Sequence, residues 1–256
     1  MTARKKIAIV TGATSGFGKI FTEQADKQFQ SLDEFWIIGR DAGKLIDLSN
    51  HLSRKARLMP YDLTKMSSLQ NVEELLQKEK PAIKFLVNSA GFGITGHVEE
   101  QDSRMQADMI DLNCRALTYM CRICIPYMAD NSRIINFASV AAFMPQPGFA
   151  IYAATKAYVM SFTRALNCEL KSKHIYALSV CPGPASTNFF TTAEKSGGKA
   201  AGFYKQLFMV EPEPVVKKAI HDSILKREVS VYSLPMKGLH IAAKILPRKL
   251  IFRFLK

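Results

Sequence analysis

The sequence predicts a single α/β domain, built on a doubly wound parallel sheet of about seven strands with helices on both faces. Short apolar runs that end in glycine or small polar residues alternate regularly with helical segments along the chain. No shift in composition marks an internal boundary. With 256 residues the chain is long enough for one large domain that needs no disulfide or metal to stabilise it.

The alternation can be followed element by element. Continuous apolar runs are typical of parallel strands buried on both faces, and they predict strands at 6–12, 34–40, 56–63, 83–91, 132–139, 175–183 and 229–233. Helical spacing of apolar residues predicts helices at 17–29, 42–54, 67–79, 102–129, up to about 171, and 214–227. Sheets of this kind bind ligands beyond the carboxyl ends of their strands, so the residues there are candidate site residues.

The first strand ends in the glycine-rich segment TGATSGFG. Glycine permits a sharp turn and lets backbone amides approach a pyrophosphate at the start of a helix. The spacing is G-x-x-x-G-x-G, and the segment lies between a strand and a helix. We therefore predict a dinucleotide-binding turn, with candidate residues Gly12, Thr14, Ser15, Gly16, Phe17 and Gly18.

The second strand ends in Gly39 and Arg40, with Asp41 one residue further on. An NAD site usually has an acidic side chain at this strand end, where it binds the ribose 2′-hydroxyl. A guanidinium instead suits a 2′-phosphate, because it offers several donors in a fixed fork. Arg40 therefore favours NADP(H) over NAD(H), and Asp41 is alternatively the N-cap of the next helix.

The third and fourth strands also end in candidate residues. Asp62, followed by Leu63, is placed to reach an adenine edge, or alternatively to cap a helix. The fourth strand ends in NSAGFG, whose small residues allow the backbone to pass close to a bound ribose. The candidates here are Asn88, Ala90 and Gly91.

The segment FAIYAATKAYVM places Tyr152 four residues before Lys156. Residues at this spacing share one helix face. An ammonium beside a phenol favours the phenolate and lowers a pKa that is normally about 10. Ser139, at the end of the fifth strand, is close enough in sequence for a loop to bring its hydroxyl beside Tyr152.

The chain resembles the short-chain dehydrogenase/reductase family up to about residue 233, through TGATSGFG, NSAG, Asn113 in DLNCRA, Ser139 in NFASVAA, YAATK and CPGPAST. The resemblance implies a Rossmann-type catalytic domain over 1–233. It implies that Tyr152 is the general acid/base, that Lys156 lowers its pKa and holds the nicotinamide ribose, that Ser139 polarises the carbonyl, and that Asn113 orients Lys156 through a water. Pro182, Gly183 and Thr187 would border the nicotinamide, and a homodimer or homotetramer would be expected.

The segment at about 184–210 is the predicted substrate lid. It is rich in phenylalanine and contains no arginine that could bind a carboxylate or phosphate. This favours a small-to-medium apolar ketone or secondary alcohol, with hydroxysteroid dehydrogenation as an alternative. The aromatic residues could equally serve only to pack the lid. A different alternative is an NADP-binding sensor that does not turn over.

The net charge of +13 is unevenly spread, and the six basic residues of the C-terminal segment, 234–256, supply nearly half of it. No acidic residue follows Glu228, and basic residues recur at roughly helical spacing among aliphatic ones. Such a tail can lie on an anionic membrane surface, as a peripheral membrane or interaction protein would, or fold over its own domain. Basic residues are not interleaved with exposed aromatics elsewhere, so we expect no nucleic-acid partner.

The five cysteines are odd in number and lie in apolar or helical contexts. This pattern predicts reduced thiols and a cytoplasmic protein. The CRIC motif has no second pair and no histidine at ligand spacing, so we predict no metal site. The uncharged stretch 134–155 contains two prolines and a glycine, and it is expected to be a buried strand and a loop.

Overall fold

The computed structural model describes residues 4–185 and 209–245. Within them, seven parallel strands form one sheet in the order β3-β2-β1-β4-β5-β6-β7. The strands are β1 (Lys6–Thr11), β2 (Glu34–Ile38), β3 (Lys55–Met59), β4 (Ala82–Asn88), β5 (Met128–Phe137), β6 (Ile175–Val180) and β7 (Val229–Ser230). The strand order reverses between β1 and β4, which is where such sheets bind ligands. The predicted fold class is confirmed.

Helices cover both faces of the sheet. They are α1 (Gly16–Gln28), α2 (Ala42–Asn50), α3 (Met66–Glu79), α4 (Ser103–Ile110), α5 (Leu117–Cys124), α6 (Ala150–Leu170), α7 (Pro212–Ile224) and α8 (Leu234–Ile245). The side chains of β1 alternate between two cores: Ile7 and Ile9 pack with α3, α5 and α6, whereas Ala8 and Val10 pack with α1, α2 and α7. The strand is therefore apolar on both faces, as its continuous apolar run predicts.

The helix predicted over 102–129 is interrupted. A π-helical turn, Asp111–Ala116, separates α4 from α5, and a short 3₁₀ turn, Ile125–Tyr127, precedes β5. Pro126 lacks the amide hydrogen that would continue α5. The π-helical turn carries the buried Asn113, and such turns are frequent at functional sites.

Two of the predicted strands that end earlier than expected are followed closely by proline. The third stops at Met59, before Pro60, and the sixth stops at Val180, two residues before Pro182. Proline cannot donate a backbone hydrogen bond to the sheet. The polar and glycine residues that follow β3 and β6 therefore lie in the loops at the carboxyl edge, where a site is expected.

The described parts of the C-terminal third fold against the domain. Most of the predicted lid lies outside the described residues. Its two ends are in contact: the amide of Val210 donates to the carbonyl of Pro184 at 2.9 Å. Residues 234–245 form α8, which packs on the turn at Val140–Phe143. Among the residues that the structure describes, none of the helices combines the length and the apolar character needed to span a bilayer.

Candidate active site

The turn between β1 and α1 passes very close to the end of β4. A Cβ atom at Gly12, where φ is +67°, would lie 2.8 Å from the amide nitrogen of Ala90, and one at Gly18 would lie 2.5 Å from the carbonyl oxygen of Gly12. Both positions therefore require glycine. Ser15 makes no capping hydrogen bond, and the first turn of α1 contains no acidic residue. The N–H groups at the start of α1 are thus suited to bind a phosphate.

Thr11 fixes this close approach, although the sequence analysis did not single it out. Its hydroxyl oxygen accepts hydrogen bonds from the amides of Ser89 (3.1 Å) and Ala90 (3.2 Å). The signal that could have identified Thr11 is its position as the last residue of β1. On the other side of the turn, the ring of Phe17 stacks on that of Phe137 at a centroid distance of 5.0 Å, which connects α1 to the end of β5.

Arg40, Asp41 and Asp62 lie at the carboxyl edge beyond β2 and β3. Asp41 is the N-cap of α2, because its carboxylate accepts from the amide of Lys44 at 3.1 Å. Burial alone would raise the pKa of Asp62, but hydrogen bonds from Thr64 and the charge of Arg40 lower it below its usual value. Asp62 thus caps the turn at Thr64, while the exposed Arg40 remains available to a ligand.

Gly39 precedes Arg40 and has no room for a side chain. A Cβ atom at Gly39 would lie 2.5 Å from the Cγ2 atom of Thr14. The end of β2 and the glycine-rich turn are therefore in direct contact, although they are separated by more than twenty residues in sequence.

Two predicted cofactor-binding residues direct their side chains into the core. Asn88 donates to the Oδ1 atom of Asn136 at 2.9 Å, and Leu63 packs in the core beside α3. Only their backbone atoms can reach a cofactor. Asn136 in turn donates to the hydroxyl of Thr163 at 2.9 Å, so these buried polar residues connect β4, β5 and α6 beneath the site.

The predicted group of Ser139, Tyr152 and Lys156 comes together at the ends of β5 and α6. All three side chains are buried, with exposed fractions of 7–9%, and Ser139 is hydrogen-bonded to Tyr152. The Nζ atom of Lys156 donates to the carbonyl of Phe137 at 2.8 Å and lies 5.6 Å from the centre of the Tyr152 ring. The geometry agrees with the spacing argument made from the sequence.

The electrostatics differ from that expectation. Burial raises the pKa of Tyr152 above its usual value, even though the hydrogen bond from Ser139 acts in the opposite direction. Burial also lowers the pKa of Lys156 to about 8. The expected lowering of the tyrosine pKa is not found, because burial of the phenol is the largest effect on its pKa and Lys156 is not among the groups that shift it.

Asn113 is held by direct hydrogen bonds. Its amide bonds to the backbone N–H (3.1 Å) and carbonyl (2.9 Å) of Phe92, and donates to the hydroxyl of Thr155 at 3.1 Å. Thr155 donates to the carbonyl of Tyr152 at 2.8 Å. The connection from Asn113 to α6 therefore runs through Thr155, which sequence reasoning missed although it lies within the YAATK motif.

Gly91 lies between the two parts of the site. A Cβ atom there would be 2.8 Å from the Oδ1 atom of Asn113 and 3.4 Å from the Nζ atom of Lys156. On the other side, the carbonyl of Pro182 accepts from the amide of Val140 at 3.0 Å, which holds the end of β6 beside the turn after Ser139. Gly183 follows and is partly exposed, whereas Thr187 lies outside the described residues.

Tyr152 also packs against apolar side chains. Phe149 stacks on its ring at 4.3 Å, and Ile94, Met109 and Ala141 belong to the same cluster.

The two cysteines of the CRIC motif, Cys121 and Cys124, are buried, and burial raises the pKa of Cys121 to about 12. Within 4–185 and 209–245, no group of three or more potential metal ligands is found.

The sheet places a glycine-rich turn suited to phosphate and a buried Ser–Tyr–Lys group at neighbouring strand ends, an arrangement suited to hydride exchange with a dinucleotide. The fold and site therefore define an NAD(P)-dependent oxidoreductase that acts on CH–OH and C=O groups. The family model described as short chain dehydrogenase matches residues 6–197. The chain belongs to the short-chain dehydrogenase/reductase family, as its motifs predict.

Two curated relatives cover most of the chain. It is 30% identical to sulfoacetaldehyde reductase 2 of Chromohalobacter salexigens, over 89% of this chain and 92% of that protein. It is 29% identical to an NADP-dependent 3-hydroxy acid dehydrogenase of Escherichia coli K12, over 90% of this chain and 94% of that protein.

Solved structures show the same fold. A short-chain dehydrogenase from Sphingobium yanoikuyae in complex with NADPH has a TM-score of 0.78 at 24% identity and covers 98% of this chain and 96% of its own. A short-chain dehydrogenase/reductase from Burkholderia phymatum in complex with NAD has a TM-score of 0.81 at 20% identity, with 98% and 95% covered. Members with this fold thus bind either dinucleotide.

Proposed function

We propose that this enzyme interconverts a ketone and a secondary alcohol on a small-to-medium apolar substrate, with NADP(H) as cofactor and Tyr152 as the acid/base. The observation that carries the proposal is the buried group beyond the end of β5, in which Tyr152 is hydrogen-bonded to Ser139 and lies beside Lys156. The glycine-rich turn and the uncapped start of α1 fit the phosphates of such a cofactor.

In this mechanism the bound nicotinamide supplies or accepts a hydride. Burial keeps Tyr152 protonated at neutral pH, so in the reduction direction its hydroxyl is the acid that protonates the substrate oxygen. Ser139 and Tyr152 would donate hydrogen bonds to that oxygen as negative charge develops on it. The ammonium of Lys156 would then stabilise the phenolate that remains.

The apolar substrate is supported by the apolar cluster that contains Tyr152. Phe149 and Ile94 belong to this cluster. The relatives named above act on a sulfonated aldehyde and on 3-hydroxy acids, both of which are small anions. A direct comparison of apolar ketones with sulfoacetaldehyde and a 3-oxo acid, all with NADPH, distinguishes the two substrate classes.

Replacing Tyr152 by phenylalanine tests the mechanism. We expect Tyr152→Phe to lower turnover at least about 10²–10⁴-fold while NADPH affinity, measured by fluorescence titration, changes little. Tyr158→Phe is the matched control: Tyr158 lies on the same helix, is exposed, and bonds to Thr118 at the surface. Retention of turnover by Tyr152→Phe would contradict the proposed acid/base role.

The cofactor preference is tested separately. We propose that Arg40 binds the 2′-phosphate, since its exposed guanidinium lies at the end of β2 and its charge acts on Asp62. Arg40→Ala would remove charge-assisted hydrogen bonds of about 1.5–3 kcal/mol, so it should weaken NADPH binding by about 10–100-fold and leave NADH binding unchanged. The exposed Arg122, on α5, provides the control Arg122→Ala. An equal effect of both variants on NADPH would refute a specific contact.

We further propose a homodimer or homotetramer assembled through α4, α5 and α6. Ile110 and Tyr158 are large and exposed on these helices, and Tyr158 stacks on Phe162. Exposed apolar and aromatic side chains grouped on one surface are typical of an interface. Multi-angle light scattering on the wild type and on Tyr158→Glu would measure whether the mass of the assembly depends on this surface.

A further inference from the structure

The C-terminal helix α8 is attached to the domain through one face. Met236 is buried, Leu239 packs against the main core, and the ring of His240 stacks on that of Phe143 at 4.4 Å. The inner face of α8 therefore already has its packing partners, and the helix has a defined position beside the turn at Val140–Phe143.

The outer face of α8 is also apolar, but it is exposed to solvent. Leu234, Ile241 and Ile245 are 79%, 58% and 75% exposed. They are separated by seven and four residues, so they lie in one row along the helix. Gly238 lies in the same row, and a Cβ atom there would meet nothing within 4 Å. The result is a continuous strip of exposed aliphatic side chains.

The sequence that contains this strip has charge of one sign only. Lys237 is exposed beside it, and from residue 229 to the C-terminus the sequence contains six basic residues and no acidic one. The basic residues are Lys237, Lys244, Arg248, Lys249, Arg253 and Lys256. An exposed apolar row with a cation beside it, in a segment without acidic residues, is complementary to a surface that is apolar below and anionic above.

We propose that the outer face of α8 docks on an anionic lipid surface. Leu234, Ile241 and Ile245 would enter the boundary between headgroups and acyl chains, and Lys237 would lie among the headgroups. A second copy of the chain fits this face less well, because a symmetric contact would bring the ammonium groups of Lys237 from both copies close together.

The docked position has a geometric consequence for the site. The inner face of α8 contacts Phe143, four residues after Ser139, and a helix is about 10–12 Å across. The turn that follows Ser139 would therefore lie about one helix diameter from the lipid surface.

Vesicle sedimentation with the full chain tests the proposal. We expect binding to phosphatidylcholine vesicles that contain phosphatidylglycerol, much weaker binding to pure phosphatidylcholine, and a decrease as salt is raised. Ile241→Glu should weaken binding at least about ten-fold, because it places a negative charge in the apolar row. Lys237→Gln should weaken it about five-fold, corresponding to about 1 kcal/mol for one basic residue.

The control is Ile46→Glu, which makes the same substitution at a site on α2 that is 49% exposed; it should bind vesicles like the wild type. Ile241→Ser repeats the test without a new charge. Truncation before α8 is less informative, because it would also remove the buried Met236. NADPH binding by each variant reports whether the domain remains folded.

The proposal is overturned if the wild type does not bind anionic vesicles, if neutral vesicles bind it equally well, or if Ile241→Glu and Ile241→Ser both bind like the wild type. It is also overturned if the wild type binds no vesicles and Ile241→Glu lowers the mass measured by light scattering. That result would identify the strip as a contact between copies of the chain.

Discussion

The candidate active site and the outer face of α8 both reverse the usual distribution of residues, but in opposite directions. At the site, polar and ionisable groups are buried, whereas on α8 large aliphatic groups are exposed. A buried ammonium or phenol costs folding free energy unless hydrogen bonds offset it. An exposed isoleucine on a helix costs the fold little. Substitutions at the site should therefore change stability and activity together, whereas those on the α8 strip should leave stability nearly unchanged.

The largest expected effect in this comparison is at Asn113. Asn113→Ala removes the hydrogen bonds to both backbone groups of Phe92 and to Thr155. Leaving several polar groups without partners should lower the free energy of unfolding by about 4 kcal/mol. Turnover should fall as well, because Thr155 holds the backbone at Tyr152. Urea denaturation and steady-state kinetics measure the two effects.

Asn167→Ala is the matched control for that prediction. Asn167 lies on α6 away from the site and accepts one hydrogen bond, from the amide of Ala177 at 2.9 Å. Its loss should cost about 1–2 kcal/mol with turnover unchanged. An equal decrease in the free energy of unfolding for the two variants, or a loss of turnover in Asn167→Ala, would contradict the expectation that polar groups at the site affect stability and activity together.

The next effect concerns Lys156 and depends on pH. Its pKa falls from 10.5 to about 8 on folding because of burial, so at pH 7 the ammonium is charged in both states and folding bears the full cost of desolvation. Between pH 8 and 10.5 the folded protein loses the proton first, and this cost disappears. We expect Lys156→Met to be inactive but more stable at pH 7 by up to about 3 kcal/mol.

Thermal unfolding of Lys156→Met and the wild type across pH 7–10.5 checks this sign. The advantage of the variant should shrink as pH rises through about 8 and should be smallest near 10.5. A wild type that is more stable than Lys156→Met at pH 7 would mean that the bond from Lys156 to the carbonyl of Phe137 outweighs the desolvation.

The smallest effect is on α8, where the two faces of one helix can be compared. Met236→Ala removes a buried side chain from the inner face and should cost about 2 kcal/mol. Ile241→Ala, on the outer face, should stay within about 0.5 kcal/mol of the wild type. Chemical denaturation measures both. A cost at Ile241 as large as that at Met236 would show that the strip is already covered by protein in solution.

Features that depend only on neighbouring residues in the sequence were predictable. The glycine-rich turn, the pairing of Tyr152 with Lys156, and the capping alternative for Asp41 all follow from local rules, namely helical spacing, backbone freedom and N-cap chemistry. The structure brings these residues to the edge that parallel strands share. Their predicted roles in binding and catalysis follow from the family resemblance and stay predictions until the variants above are made.

Features that depend on the surroundings of a residue in three dimensions were not predictable. The direction in which Asn88 points is set by Asn136, which is 48 residues away. The π-helical turn at Asp111–Ala116 departs from a helical pattern that continues through the sequence. The raised pKa of Tyr152 results from burial by neighbours on other elements, among them Ile94 and Met109. Spacing along the chain contains none of this information.

The contact between Gly39 and Thr14 has a consequence for changing cofactor preference by design. The usual route toward NAD places an acidic residue at the end of β2, and Gly39 is the natural position for it. A Cβ atom there would lie 2.5 Å from the Cγ2 atom of Thr14, so the Thr14 side chain would have to move. Thr14→Ala removes that methyl group, so Gly39→Asp should be better tolerated together with Thr14→Ala than alone, which links two positions far apart in sequence.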